Sequence, residues 1–254
     1  MPTTPEDREV YTKRRPDAPA GFFDAEARGL RWLAEAGTVA VPDVVAVDDR
    51  SITVALVPRG HPTERGADRF GRALADLHAA GAPAFGAPWA GFIGPLPMDN
   101  GPADGWVPFY AERRVLPFLR AARDRRAVTA DGMATVERVV DRLGELAGPS
   151  GQERPSRIHG DLWSGNLLWD PEGQAWLIDP AAHGGHRETD LAMLALFGAP
   201  HLDRIVAAYH DRRPLADGWA DRVALHQLHP LLVHAVLFGE PYGGRAVAAA
   251  ATYR

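Results

Sequence analysis

Residues 159–179 read HGDLWSGNLLWDPEGQAWLID, and the spacing of the polar residues in this stretch is the most informative pattern in the sequence. Asp161 is followed five positions later by Asn166, and Asp179 comes thirteen positions after that. Residues 167–169 and 175–178 are short strand candidates, and the segment between them, Asp-Pro-Glu-Gly, is typical of a tight turn. An antiparallel hairpin built from these strands would bring Asn166 and Asp179 side by side at its open end.

The three polar residues together favour phosphoryl transfer. Mg²⁺ usually takes one or two carboxylates plus phosphate oxygens, so Asn166 and Asp179 suit it. Asp161 lies on the preceding loop, where it could accept a proton from an incoming hydroxyl. The same arrangement occurs in kinases, whose loop reads H-R-D-x-x-x-x-N, with Gly160 here in place of the arginine. Each residue alone has a simpler explanation, such as an Asx turn or a structural histidine at 159, but the combination is harder to dismiss.

Away from this stretch, the sequence predicts a small β-containing part followed by a larger helical part, with the boundary near residue 60. We expect a strand at 8–14, a helix at 22–35 and a hairpin at 44–47 and 52–57. Beyond residue 67 the apolar spacing is helical, interrupted by an irregular Gly- and Pro-rich segment at 82–105. Further helices are predicted at 106–123, 132–146, 188–197, 202–211 and 219–238. The expected domains are therefore residues 1–60 and 61–254.

Composition excludes several classes of protein. The 254 residues carry a net charge of −5 and no basic stripe, which argues against a nucleic-acid partner. No apolar run is long enough to span a membrane, and the N-terminus does not read as a secretory signal. The absence of cysteine excludes disulfides and thiolate chemistry, and the expected location is cytoplasmic. Lys13 is the one lysine among 28 basic residues, which suggests a site that needs a compact charge rather than a guanidinium fork.

Two stretches, HGDLWSGN and LIDPAAHGGHRETDLAMLALFG, closely resemble the fructosamine kinase (ketosamine 3-kinase) family. The W-x-x-F-x-x-E-R-R-x-x-P pattern from Trp106 and the Phe-Ile-Gly run at 92–94 resemble it too. The resemblance covers about residues 10–242. It implies an α+β, protein-kinase-like, two-lobed fold that aminoglycoside and choline phosphotransferases share. It also implies an enzyme that uses ATP and Mg²⁺ to phosphorylate a ketosamine, either a free small molecule or a glycated protein amine.

The resemblance assigns roles residue by residue. Asp161 would be the catalytic base, and Asn166 and Asp179 would hold Mg²⁺. Lys13 would contact the nucleotide phosphates and pair with Glu26. The remaining site residues implied by the resemblance are Leu56 and Val57 near the adenine, Trp163 near the substrate, and His159 and Asp190 as structural support of the catalytic loop. Apart from the resemblance, His183, His186 and Glu188 are candidates for the substrate site, with ordinary loop residues as the equally weighted alternative.

One feature of the family pattern is missing before Lys13. Kinases of this fold have two strands and a Gly-rich loop there, whereas twelve residues precede Lys13 and none is glycine. The small lobe is therefore expected to be truncated. Three explanations are open: a start misplaced within a longer reading frame, which we favour, a truncated chain, or a genuine shortened form that is weak or inactive as a kinase. Two alternative functions stay open: phosphorylation of an aminoglycoside or other amino sugar, and a non-catalytic, kinase-like binding module. The sequence does not predict the oligomeric state.

Overall fold

The computed structural model describes residues 9–253, and its N-terminal part is a three-stranded antiparallel sheet with one helix. The strands are β1 (Val10–Arg14), β2 (Val44–Asp48) and β3 (Ser51–Ala55), in the order β1-β3-β2. The helix is α1 (Phe22–Ala34). The predicted strand at 8–14, the helix and the 44–57 hairpin are confirmed in their positions, except that residue 8 lies outside the described residues.

Helix α1 carries one apolar face against this sheet and a second close contact to the larger lobe. Phe23, Ala27 and Leu30 recur at helical spacing and pack with Ile52 of β3, all at most 2% exposed. On another face, a Cβ added to Gly29 would lie 3.2 Å from both Ala182 Cβ and Pro180 Cγ. Glycine at this position therefore lets α1 approach the segment that follows Asp179.

The larger lobe is mainly helical. Its helices are α2 (Glu64–Ala79), α3 (Trp106–Tyr110), α4 (Leu116–Asp124), α5 (Ala130–Asp141), α6 (Leu143–Ala147), α7 (Arg187–Phe197), α8 (Leu202–Arg212), α9 (Trp219–Phe238) and α10 (Glu240–Ala251). A π-helical turn, Ala111–Val115, joins α3 to α4, so the predicted helix at 106–123 is continuous but not regular. Thr63 and Thr129 cap α2 and α5, each accepting a hydrogen bond from a backbone N–H three residues on.

Three two-stranded sheets complete this lobe. They pair β4 (Gly91–Ile93) with β5 (Leu96–Met98), β6 (Ser156–Ile158) with β9 (His183–Gly185), and β7 (Leu167–Trp169) with β8 (Ala175–Leu177). The β7–β8 hairpin was predicted. The interpretation of residues 82–105 as irregular was wrong for β4 and β5, and β6, β9 and α10 were not predicted. Strands of three residues are too short to show a period of two, and the alanine-rich α10 lacks an apolar stripe.

No helix within residues 9–253 combines the length and the apolar character needed to cross a membrane. The most apolar long helix, α9, is instead buried among the other helices of the larger lobe, where Leu228, Leu231 and Leu232 are at most 2% exposed.

Candidate active site

The catalytic-loop candidate runs between β6 and β7, and a buried carboxylate at the start of α7 holds it. Asp190 accepts hydrogen bonds from the backbone N–H groups of His159 at 2.7 Å and Gly160 at 2.9 Å. His78 Nε2 lies 3.2 Å from the same carboxylate. These contacts offset the cost of burial and keep the pKa of Asp190 below its usual value. His159 itself contacts the carbonyl of Ile178 through Nε2, so the loop is tied to the end of the β7–β8 hairpin.

Asp161 follows directly in this loop and is half-buried. Burial raises the pKa of its carboxyl group to about 7, and the nearby charges of Asp179 and Asp190 act in the same direction. A hydrogen bond from Asn166 Nδ2 to Asp161 Oδ2, 3.1 Å long, opposes this shift. A carboxyl group whose pKa lies near neutral pH suits proton transfer.

Asn166 and Asp179 meet at the open end of the β7–β8 hairpin. Asn166 Nδ2 donates to the Asp161 carbonyl at 2.9 Å, which leaves Asn166 Oδ1 free to act as a ligand. Asp179 adopts a left-handed backbone conformation, with φ 52°, and its side chain is 44% exposed in the cleft. One amide oxygen and one exposed carboxylate are hard oxygen donors of the kind that Mg²⁺ prefers, so the residues present fit this ion.

Lys13 projects from β1 to the same point. Its Nζ lies 3.0 Å from Glu26 Oε2 of α1 and 3.2 Å from Asp179 Oδ1. Burial lowers the pKa of Lys13, but the two carboxylates outweigh it and the net shift is upward. Burial also raises the pKa of Glu26 to about 7, against the attraction of Lys13. The structure therefore brings together Lys13, Glu26 and Asp179, which the sequence places 13 and 153 positions apart.

These three residues divide a continuous cleft into two sides. The first side extends under β3 and the segment after it and contains Leu56 and Val57, with an otherwise largely apolar lining. Val57 is buried and Leu56 is 42% exposed. An apolar slot that ends at a lysine and two carboxylates suits a planar base attached to phosphates.

The second side contains Asp161 and Asn166 and is lined by aromatic groups: Phe22, Trp89, Phe92 and Trp163. Trp163, one of the predicted site residues, is 40% exposed and lines this space. Trp89 and Asn100 were not among the predicted site residues, although the 92–94 run next to them was singled out. Trp89 precedes β4 and Asn100 follows β5, so both reach the cleft only because this hairpin packs near residues 161–166, which lie far away in the sequence.

Two of the predicted substrate residues lie elsewhere. His183 is 4% exposed, and its Nδ1 contacts the carbonyl of Ala181 at 2.7 Å. Glu188 is 2% exposed and forms a paired contact with Arg222, at 2.7 and 2.9 Å. Neither side chain lines the cleft, because burial and these partners hold both of them inside the larger lobe.

Glu188 also lies in a compact group with His186 and His226 whose ligand atoms are all within 4.8 Å of one another. Both nitrogens of His186 are engaged, Nε2 with the Ser150 carbonyl and Nδ1 with the Glu188 N–H. Both oxygens of Glu188 face the Arg222 guanidinium. The group is therefore a hydrogen-bonded core network rather than a metal site.

Comparisons with known proteins agree with this geometry. The fructosamine kinase family profile matches residues 3–252. A Thermus thermophilus protein described as a probable ketoamine kinase is 36% identical over 242 residues, covering 93% of this chain and 86% of its own length. A similar protein from Enterococcus faecium is 33% identical over 241 residues, covering 94% and 86%.

Solved structures show the same relationship. A Thermobifida fusca protein assigned as a fructosamine-3-kinase superposes with a TM-score of 0.93 at 53% identity, covering 98% of this chain and 86% of its own. The gentamicin complex of APH(2")-IIa superposes with a TM-score of 0.63 at 11% identity, covering 95% and 84%, and shows the shared fold alone. The expected α+β, two-lobed, protein-kinase-like fold is thus confirmed. The chain belongs to the fructosamine kinase family of ATP-dependent small-molecule kinases.

Proposed function

We propose that this protein transfers the γ-phosphoryl group of ATP to a hydroxyl group of a ketosamine, with Asp161 as the general base. The observation that carries the proposal is the position of Asp161. Its carboxyl group has a pKa raised to about 7 and borders the aromatic side of the cleft, next to Asn166 and Asp179. A hydroxyl bound there would lie between the base and the expected phosphate position.

In the proposed reaction, one oxygen–phosphorus bond forms and another breaks. The acceptor hydroxyl gives its proton to the Asp161 carboxylate, and its oxygen forms a bond to the γ-phosphorus. The bond between that phosphorus and the β–γ bridging oxygen breaks, and ADP leaves with the electron pair. Mg²⁺ held by Asn166 and Asp179 would neutralise charge on the phosphates.

Lys13 and the adenine side complete the proposed binding mode. Glu26 holds the Lys13 ammonium extended toward Asp179, where it could contact phosphate oxygens. The Leu56 N–H already donates to the Glu9 carbonyl at 2.9 Å, so Leu56 can offer only its carbonyl to the adenine. We therefore assign the backbone N–H contact to Val57.

The second, aromatic side of the cleft, called the acceptor side from here on, has a lining that favours a ketosamine over a polycationic amino sugar. Among the described residues that line it, the carboxylates are Glu26, Asp161 and Asp179, and each already has a proposed role in phosphoryl transfer. The remaining lining includes four aromatic rings. A ketosamine carries one amine on a polyol and needs few additional carboxylates, whereas an aminoglycoside carries several ammonium groups.

The test is ATP consumption by the purified protein with Mg²⁺ and a simple fructosamine, beside Asp161→Asn. We expect the variant to lower kcat by roughly 10²–10⁴-fold, since it cannot accept the proton. Asp124→Asn, on an exposed side chain paired with Arg123, is the matched control and should leave kcat unchanged.

Two outcomes would contradict the proposal. Unchanged turnover in Asp161→Asn would remove the base assignment. A preference for an aminoglycoside over the fructosamine in kcat/KM would replace the proposed substrate class.

A further inference from the structure

The acceptor side of the cleft contains a buried amide that the proposed function does not use. Asn100 follows β5, is 5% exposed and lines the cleft together with Asp161 and Trp163. Its Oδ1 accepts a hydrogen bond from Arg114 Nη2 at 2.8 Å. Because a guanidinium group can only donate, this contact fixes the orientation of the amide and leaves its NH₂ group for the cleft.

The NH₂ group has no acceptor within the described part of the chain. The hydrogen bonds of residues 9–253 include one that Asn100 Oδ1 accepts and one that its backbone carbonyl accepts from Ala87, but none that Nδ2 donates. The NH₂ group borders the open cleft, where water can accept its hydrogen bond as long as no ligand is bound. A ligand that displaces this water has to supply an acceptor of its own to keep the hydrogen bond.

Arg114 keeps this amide in place. It is 2% exposed, donates also to the carbonyls of Asp99 and Arg113, and lies 4.4 Å from the centre of the Phe109 ring. Burial lowers its pKa to about 9, so it stays charged at neutral pH. The hydrogen bond to Asn100 accounts for Arg114, the second arginine of the E-R-R sequence at 112–114. The groups proposed for phosphoryl transfer do not explain this arginine.

Gly91 of β4 makes room for the amide. A Cβ added to Gly91 would lie 2.8 Å from both Asn100 Cγ and Nδ2, closer than such atoms approach. Gly91 lines the cleft as well. The strand thus presents bare backbone beside the donor, and a side chain there would displace it.

We propose that Asn100 is a specificity-determining residue that donates a hydrogen bond to an oxygen atom of the acceptor sugar, with Arg114 as its positioning residue. This inference rests on the proposed function, because it places the acceptor beside Asp161. An N–H donor attracts a hydroxyl or carbonyl oxygen and opposes an ammonium group. Asn100 would therefore select the oxygen-bearing part of a ketosamine against the amines of an aminoglycoside.

The test uses two variants, with turnover and equilibrium binding of a simple fructosamine as separate measurements. Asn100→Ala removes the donor, and we expect kcat/KM for the fructosamine to fall about 10-fold through KM, with the KM for ATP unchanged. Asn100→Asp keeps an oxygen for Arg114 but replaces the donor with an acceptor. Its ratio of fructosamine to aminoglycoside affinity should fall at least 10-fold.

Gln174→Glu is the matched control, because it makes the same amide-to-carboxylate change on an exposed residue of the β7–β8 turn and should change neither ratio. Should Asn100→Ala unfold, the affinity ratio of Asn100→Asp decides, since Arg114 keeps its partner there. An unchanged ratio, or an equal rise in the KM for ATP, would overturn the proposal. Fructosamine binding without turnover in the unaltered protein would contradict the phosphoryl-transfer proposal instead, and binding to the two variants would still decide the role of Asn100.

Discussion

The backbone conformation at position 160 accounts for the glycine that this candidate catalytic loop has where protein kinases have arginine. Its φ is +82°, a left-handed conformation that residues with a Cβ rarely adopt. A Cβ added there would lie 2.3 Å from the carbonyl oxygen of Ala181. The loop is therefore packed directly against the segment after Asp179, and the backbone N–H of Gly160 remains available to Asp190.

Gly160→Ala should lower both stability and activity. The left-handed backbone conformation and the clash with Ala181 together should cost about 1–3 kcal/mol in the free energy of unfolding. The displaced loop would also misplace Asp161, so kcat should fall by at least 10-fold. Urea unfolding and steady-state kinetics measure the two effects.

Gly144→Ala is the matched control, since nothing lies within 4 Å of its added Cβ and it sits in helix α6. That change should be neutral or stabilising by up to about 1 kcal/mol. Equal stability and activity of the two alanine variants would show that the loop tolerates a side chain.

Among single residues, the sequence best predicted those whose contacts join positions close together in the chain. Asp161 and Asn166 are five positions apart, and their contact follows from one loop. Asn100 could not be recognised in this way, because its orientation depends on Arg114, which lies fourteen positions away in the π-helical turn beyond α3. Glu188 was misplaced because an acidic residue at a helix start reads the same whether it faces a cleft or a buried arginine.

At the scale of elements, strand β9 contributes a buried histidine to the support of the site. His183 packs 5.6 Å from the ring centre of Phe109 and is enclosed by the larger lobe. Burial lowers its pKa to about 3, and the charge of Arg114 acts in the same direction. The folded protein therefore keeps His183 neutral at pH values where an unfolded chain would protonate it.

His183 should make the fold sensitive to mild acid. An unfolded histidine has a pKa of about 6.5, so below that pH the unfolded chain binds a proton that the folded chain does not. The contribution of neutral His183 to stability is therefore complete above about pH 6.5 and falls as the pH decreases toward 3. His183→Asn can keep a donor to the Ala181 carbonyl. Between pH 7.5 and 5, the free energy of unfolding of this variant should fall by about 2 kcal/mol less than that of the unaltered protein.

Urea unfolding at the two pH values provides the measurement. His201→Asn is the control, because His201 is exposed and its left-handed backbone suits asparagine. The same pH dependence in His183→Asn and in the unaltered protein would show that other groups dominate the acid response.

Most of the elements that the sequence predicted have enough residues to show a period. The exception is the β7–β8 hairpin, whose three-residue strands were predicted from the Asp-Pro-Glu-Gly turn between them. Helix α1 has 13 residues with a clear apolar face, and the hairpin of β2 and β3 has β-branched runs on both strands. Strands β4, β5, β6 and β9 have three residues each, and tertiary pairing rather than local pattern makes them strands.

For the whole molecule, the position of α1 relative to the larger lobe sets the geometry of the cleft. Helix α1 carries Glu26, which holds Lys13, whereas Asp161 follows β6 in the larger lobe. Composition and spacing predicted two parts, but they contain no information on how the parts pack, because that depends on contacts between residues more than 100 positions apart. Arg157 of β6 makes one of these contacts.

Arg157 connects β6 to the C-terminal end of α1. Its guanidinium group lies 4.5 Å from the centre of the Trp32 ring and donates to the Trp32 carbonyl. It also lies 3.7 Å from Glu35 and donates to the Gly81 carbonyl after α2. Because β6 leads directly into the loop that contains Asp161, this arginine links that loop to α1, whose Glu26 contacts Lys13.

Arg157→Ala should therefore change both stability and the alignment of the two lobes. Loss of the stacked and hydrogen-bonded guanidinium should cost about 1–3 kcal/mol, which corresponds to a fall in Tm of several degrees. Since Lys13 and Asp161 would no longer be held in fixed positions relative to one another, kcat/KM should fall about 10-fold for ATP and for the acceptor together.

Arg120→Ala, on the exposed surface of α4, removes the same charge away from the cleft and should change neither the Tm nor kcat/KM. A lower Tm with unaffected kcat/KM would mean that Arg157 stabilises the fold without aligning the lobes, and the link between α1 and the catalytic loop would have to run through the close contact of Gly29 with Pro180 and Ala182.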